Sequence, residues 1–136
     1  MQVLIADDHE IIRKGVRSIL ESREDLEICG EAADGRDAVN QATELHPDLI
    51  ILDHAMPVLN GIAAASEIHR LMPDIPILML SMHDGQELID ALRRAGGMGF
   101  VPKAECADKL LEAIDEVSHG KTFFNAKPSS RIGLSE

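Results

Sequence analysis

Asp48-Leu49-Ile50-Ile51-Leu52-Asp53 decides the fold. Four consecutive apolar residues stand between two aspartates. A run this short and uniformly apolar reads as a strand covered on both faces, the condition of a strand inside a parallel sheet. The same signal returns on either side: Val3-Leu4-Ile5-Ala6 before it, Ile77-Leu78-Met79-Leu80 and Met98-Gly99-Phe100-Val101 after it. Leu26 to Ala32 is a weaker strand, with Glu27 and Glu31 expected on one side, as an edge strand tolerates. Between these runs the apolar period becomes helical. Ile12, Val16, Ile19 and Leu20 form one stripe, and Ala38, Ala42 and Leu45 a second. Ala64, Ile68, Leu71 and Met72 form a third, Leu88, Leu92 and Ala95 a fourth, and Leu110, Ile114 and Val117 a fifth. Asp34-Gly35 reads as a turn, while His46-Pro47, Asn60-Gly61, Gly96-Gly97 and Gly120 punctuate the remainder. Five strand–helix pairs in strict alternation predict an α/β architecture, a doubly wound parallel sheet with helices on both faces. Five units are too few for an eightfold barrel.

Composition narrows the function. The chain has 136 residues, enough for one core, and its 24 Asp plus Glu against 13 Lys plus Arg give a formal charge of −11. Such a surface repels phosphate backbones and anionic lipid, so no direct contact with nucleic acid or membrane is expected from this segment. Three Phe, no Trp and no Tyr leave no platform for stacking bases. Cys29 and Cys106 exclude a disulfide scaffold, lack zinc-ligand spacing and fit a reducing, cytoplasmic setting. No apolar run approaches the roughly 20 residues that span a bilayer, and the acidic start after Ala6 lacks the basic opening of a signal peptide. The end of the chain differs in composition. Lys121, Lys127 and Arg131 outnumber Glu136, and Lys127-Pro128-Ser129-Ser130 reads as a linker. The expected division is a domain over 1–120 and a linker over 121–136 leading to a further domain.

The residues just past each strand carry the chemistry. Asp7 and Asp8 follow the first, Asp53 the third, Ser81 the fourth, and Lys103 comes two positions after the fifth. In a parallel sheet all carboxyl ends share one edge, where ligands of open α/β sheets bind. The pattern therefore gathers three carboxylates, a hydroxyl and an ammonium around one cleft. Carboxylates sharing a site repel one another, and a hard dication relieves this. Mg²⁺ at Asp8 and Asp53, with Asp7 in support, leaves space for a phosphoryl group contacted by Lys103 and Ser81. Metal, cation, hydrogen-bond donor and carboxylate nucleophile are the parts of phosphoryl transfer through an aspartyl phosphate. Singly, each residue has a commoner role: Asp7-Asp8 or Ser81 as helix caps, Lys103 as a solvated surface residue. Their coincidence at four strand ends favours the site. His9, His54 and His83 lie near the same edge, but no pair has the His-x3-5-His spacing of a zinc site, so they read as surface residues. Met56 and Met82 read as loop packing, and Gly96-Gly97-Met98-Gly99 lacks phosphate-loop order.

Leu4-Ile5-Ala6-Asp7-Asp8-His9, Asp53-His54-Ala55-Met56-Pro57-Val58-Leu59-Asn60-Gly61, Leu80-Ser81-Met82-His83 and Gly99-Phe100-Val101-Pro102-Lys103 together resemble the receiver domain of bacterial two-component response regulators. The likeness covers about residues 1–120. It implies the flavodoxin-like strand order 2-1-3-4-5. It implies that Asp53 accepts a phosphoryl group from a phosphohistidine on a sensor histidine kinase. Asp8, Asp53 and the Ala55 backbone carbonyl match the family's Mg²⁺ ligands, with Mn²⁺ able to substitute, and Asp7 completes the acidic pocket. Ser81 and Phe100 match the switch hydroxyl and the aromatic that moves inward with it, and Lys103 matches the lysine that pairs with the acyl phosphate. The readout would be the face of the fourth helix, fifth strand and fifth helix, acting through homodimerisation. Phe100 has no hydroxyl, so switching there works by packing alone.

Two positions depart from the family pattern. Ala104 stands where many relatives have proline after the lysine, and Met82 stands where many have a small residue, an arrangement expected to narrow access to the acyl phosphate. Ser81-Met82-His83-Asp84, Phe100-Val101-Pro102-Lys103 and the closing Leu134-Ser135-Glu136 resemble the LuxR-type regulators, whose helix-turn-helix would come after this segment. On that reading DNA is bound only through the absent C-terminal domain. Two other regulatory readings are a standalone receiver that acts by binding partners and a degenerate receiver. The enzymatic rival, a phosphatase of the haloacid-dehalogenase type, needs a second aspartate two residues after the nucleophile, where this chain has Ala55. The chain is therefore read as a phosphoacceptor and not as an enzyme.

Overall fold

A computed structural model describes residues 1–83 and 85–124. The elements keep the predicted alternation: β1 (Gln2–Ala6), α1 (Glu10–Glu21), β2 (Glu27–Ala32), α2 (Gly35–Leu45), β3 (Leu49–Asp53), α3 (Gly61–Leu71), β4 (Ile77–Ser81), α4 (Gln86–Arg94), β5 (Gly99–Pro102) and α5 (Cys106–Ser118). A 3₁₀ turn, Lys103–Glu105, joins β5 to α5. All strand pairs are parallel, in the order β2-β1-β3-β4-β5, the flavodoxin-like order that the resemblance implies.

The sheet is buried on both faces, which is why its strands are uniformly apolar. Leu4, Ile50, Leu52, Ile77, Met79 and Phe100 pack with α2, α3 and α4. Val3, Ile5, Leu49, Ile51, Leu78, Leu80 and Val101 pack with α1 and α5. Each large side chain so covered contributes about 1.5–3 kcal/mol. Two helices start on predicted turn residues: Asp34 accepts the Asp37 N–H at 2.7 Å, and Asn60 accepts the Ala63 N–H at 2.9 Å. Asp34-Gly35 is therefore a helix start rather than a free turn. Gly15 lies exposed inside α1, and a Cβ added there meets nothing within 4 Å. Gly15→Ala is expected to raise stability by about 0.5–1 kcal/mol, read as a higher urea midpoint with unchanged slope.

β2 departs from the expected alternation. Val3 pairs with Ile28 but Leu4 pairs with Gly30, so Cys29 is an extra residue in the ladder. The bulge reverses the facing of the residues beyond it. Glu27 hydrogen-bonds Gln2, on the side of Leu4 and α2, whereas Glu31 is held by Arg13 and Arg17 of α1 on the opposite face. The two glutamates thus do not share a side.

The chain keeps contact with the sheet beyond Gly120. Phe123 donates its N–H to the Met98 carbonyl at 2.9 Å and accepts from the Phe100 N–H at 2.8 Å, beside the outer edge of β5. Phe123 is buried, and the Arg93 guanidinium lies over the Phe124 ring at 4.8 Å. Residues 121–124, grouped by composition with the linker, therefore pack on the domain; the remaining linker positions, 125–136, lie outside the described residues. No helix among the described residues is long and apolar enough to cross a membrane.

Candidate functional site

Among the described residues, Asp7, Asp53 and Ser81 are the polar residues that the fold buries fully, with exposures of 1%, 2% and 1%. Each stands at or just past the carboxyl end of its strand. Asp7 is fixed by its backbone, whose N–H donates to the Ala32 carbonyl and whose carbonyl accepts the Arg13 Nη1 at 2.5 Å. Its side chain does not cap α1. The N-cap of that helix is His9, whose N–H donates instead to Asp7 Oδ1 at 2.8 Å. Ser81 does not cap α4 either, since that N-cap is Gly85; its Oγ accepts the His83 N–H at 3.0 Å. The commoner roles of these residues are thus not the ones the fold gives them.

Lys103 is drawn inward, its side chain only 6% exposed. Its Nζ lies 2.9 Å from Asp53 Oδ1 and 3.0 Å from Asp7 Oδ2, bridging two buried carboxylates. Burial, the largest single influence, favours the neutral amine, but the bonds to Asp53 and Asp7 outweigh it and raise the Lys103 pKa above the ordinary lysine range. Burial also pushes the Asp53 carboxyl above its usual range, against the pull of Lys103 and with the charge of Asp7 adding to the rise. The nearby Cys106 thiol is pushed up to about 11 by burial, which marks it as an inert packing residue.

Two buried carboxylate oxygens of this site have no hydrogen-bond partner among the described residues: Asp7 Oδ2, which has only its ion-pair contact with Lys103, and Asp53 Oδ2. Carboxylate oxygens of Asp7, Asp8 and Asp53, together with a ring nitrogen of His9, lie within 4.8 Å of one another. The oxygens suit a hard dication, and an orphaned buried carboxylate oxygen is the group such an ion would satisfy. The donor set therefore fits Mg²⁺. Sequence reasoning placed Asp7, Asp8, Asp53 and Lys103 here, and the fold brings them together. It missed the inward-facing His9 ring nitrogen and Arg13, which fastens α1 to the backbone of the acidic pair.

Other predicted features fall differently. Phe100 is wholly buried, in the core cluster that also holds Ile89 and Leu92 of α4. Met56 packs in the core as expected, but Met82 is 76% exposed and does not pack in its loop. Among the described residues no peptide bond is cis, so the bond between Lys103 and Ala104 is trans. Val58 holds φ at 68°, and Leu59 N–H closes back on the Pro57 carbonyl at 2.7 Å, bending the loop after Asp53.

A five-stranded parallel sheet carrying a buried acidic pair and a lysine at its carboxyl edge defines a flavodoxin-like domain with an acidic ion pocket. The family model of the response regulator receiver domain matches residues 3–115, and the chain belongs to that family. Receiver domains are phosphorelay signalling modules that bind Mg²⁺ at an acidic pocket and interact with sensor kinases. The chain is 37% identical to the oxygen regulatory protein NreC of Staphylococcus epidermidis, across 97% of this chain and 61% of that protein. It is 33% identical to the transcriptional regulatory protein DegU of Brevibacillus brevis, across 97% of this chain and 56% of that protein. The chain thus spans about three fifths of the length of these relatives. Among solved structures, a LuxR-family two-component response regulator from Aurantimonas sp. SI85-9A1 gives a TM-score of 0.86 at 30% identity, covering 90% of this chain and 87% of that one. The isolated REC domain of RcsB from Salmonella enterica serovar Typhimurium, in the presence of phosphomimetic BeF3⁻, gives 0.84 at 30% identity, covering 93% and 94%.

Proposed function

We propose that Asp53 is the phosphoacceptor. The observation that carries this is the pairing of its buried carboxylate with Lys103 on one oxygen while the other oxygen has no partner. In the transfer, the P–N bond of a phosphohistidine on a sensor histidine kinase breaks and a P–O bond to an Asp53 oxygen forms. Asp8, Asp53 and the Ala55 carbonyl would hold Mg²⁺, with Asp7 in support, and the ion would supply positive charge to offset that of the transferring phosphoryl oxygens. Lys103 is already held protonated beside Asp53 and is positioned to pair with the acyl phosphate. Ser81, whose Oγ accepts one backbone N–H, keeps its own proton free to donate toward the added group. Phe100 lies in the core cluster that also holds Ile89 and Leu92 of α4, so a shift at Ser81 reaches α4 through packing. The face of α4, β5 and α5 is the readout, acting through homodimerisation. The receiver unit, with residues 121–124 packed on it, and the remaining linker positions, 125–136, precede a DNA-binding domain in a cytoplasmic transcription regulator. Attack of water on the aspartyl phosphate, releasing inorganic phosphate and restoring the Asp53 carboxylate, returns the domain to rest.

A small phosphodonor with Mg²⁺ is expected to add one phosphoryl group that hydroxylamine and alkali release, seen by intact-mass spectrometry. Asp53→Asn should abolish it; equal labelling of that variant would overturn the assignment.

A further inference from the structure

We propose that His9 supplies an imidazole ligand to this pocket for divalent ions that accept nitrogen donors, making it a mixed nitrogen–oxygen site selective for Co²⁺, Ni²⁺ or Zn²⁺ beyond what its carboxylates alone provide. The inference rests on the pocket being a cation site, as proposed above. His9 Nδ1 lies 3.1 Å from Asp8 Oδ1 and 3.3 Å from Asp7 Oδ1, inside the cluster that includes an Asp53 oxygen. An ion seated among these oxygens has the imidazole nitrogen at its margin.

The placement is built into the chain. His9 is the N-cap of α1 with an extended backbone, φ −98° and ψ 111°, yet its side chain makes no capping bond. Its N–H is tied to Asp7 Oδ1, which fixes the residue over the pocket, and its ring Nδ1 rests against the Asp7 and Asp8 carboxylates. The side chain is 62% exposed, so the neutral ring can exchange its Nδ1 contacts with Asp7 and Asp8 for a bound ion without displacing packed side chains. A second, independent sign of a ligand is the unpartnered Asp53 Oδ2, on a residue only 2% exposed.

The metal's chemistry decides whether the ring takes part. Mg²⁺ prefers oxygen and keeps several waters, so its binding does not draw on imidazole. Imidazole suits borderline transition ions, which also bind more tightly in general along the first-row series. The carboxylates alone therefore give some preference for Co²⁺ over Mg²⁺, and His9 adds an increment that its removal isolates.

Isothermal titration calorimetry of the full chain with MgCl2 and with CoCl2 tests this, for the unaltered protein, His9→Ala and Asp53→Asn. The expected result is that His9→Ala weakens Co²⁺ by about tenfold or more, leaves Mg²⁺ within about twofold, and shifts the visible absorption of bound Co²⁺. Asp53→Asn is expected to weaken both ions. Equal loss of both ions in His9→Ala would assign the ring to spacing the carboxylates, and an unchanged Co²⁺ affinity would assign the site to oxygens alone; either overturns the inference while the pocket stands. Co²⁺ binding undiminished in Asp53→Asn would place that ion elsewhere and also overturn it. Failure of the unaltered protein to bind either ion would sink the pocket reading itself.

Discussion

Lys103→Ala is expected to lower the stability of the domain by about 3–5 kcal/mol, the scale for breaking a buried ion pair from one side. The side chain is 6% exposed, and its loss leaves Asp7 and Asp53, both buried, facing each other without a counter-charge. The signs of the two titrations agree with this. The folded Lys103 pKa is raised, so its contribution is fully present below the ordinary lysine range and is lost only as pH rises through the raised value. The folded Asp53 pKa is also raised, so that group favours folding below the ordinary carboxylate range and loses this contribution as pH rises through its own raised value. Above that raised value the Asp53 charge therefore opposes folding, and Lys103 offsets it. It follows that adding Asp53→Asn to Lys103→Ala restores much of the lost stability. Urea denaturation of the single and double variants measures this, and a double variant as unstable as Lys103→Ala would show that uncompensated charge is not the cause. The single variant is also expected to accept phosphate at least tenfold more slowly where it remains folded, because a preorganised charge beside the reacting oxygens is gone.

Gly61→Ala is the second large effect. A Cβ at Gly61 would stand 2.3 Å from the Asp53 carbonyl oxygen and 2.9 Å from the His54 Cα. Both are backbone atoms and cannot rotate aside. Gly61 N–H also donates to the His54 carbonyl at 2.9 Å, so α3 starts directly against the end of β3. A methyl group must push that junction apart, at a cost of about 3 kcal/mol, and it displaces Asp53, the proposed phosphoacceptor. Thermal denaturation and phosphodonor labelling should therefore fall together. A variant with unchanged melting temperature would show that the loop yields where the geometry says it cannot.

The glycine illustrates what sequence reading captures. Asn60-Gly61 is legible as a break before a helix, but nothing in the dipeptide says that the backbone of Asp53 lies within reach of its missing Cβ. The central strands were legible because burial on both faces imposes uniform apolarity, and from them the strand ends located Asp7, Asp53, Ser81 and Lys103. The β2 bulge was not legible: alternation assumes one residue per rung, and Cys29 breaks that rule without a compositional sign. The role of His9 was hidden because the spacing rule compares histidines with one another, whereas its neighbours here are the two aspartates before it. Phe123 was masked by the polar composition around it. The exposed Met82 shows the opposite error, an apolar residue read as packed only because it is apolar.

The pairing of Phe123 with β5 has a bearing on how the molecule meets others. An outermost strand ordinarily offers a row of free amides on which a foreign strand can register, and such rows seed fibrils. Here the Met98 carbonyl and the Phe100 N–H are already taken up from within the chain. Recognition at that margin must read side chains rather than main chain, so this border of the sheet discriminates by shape and charge and gives no foothold to indiscriminate strand addition.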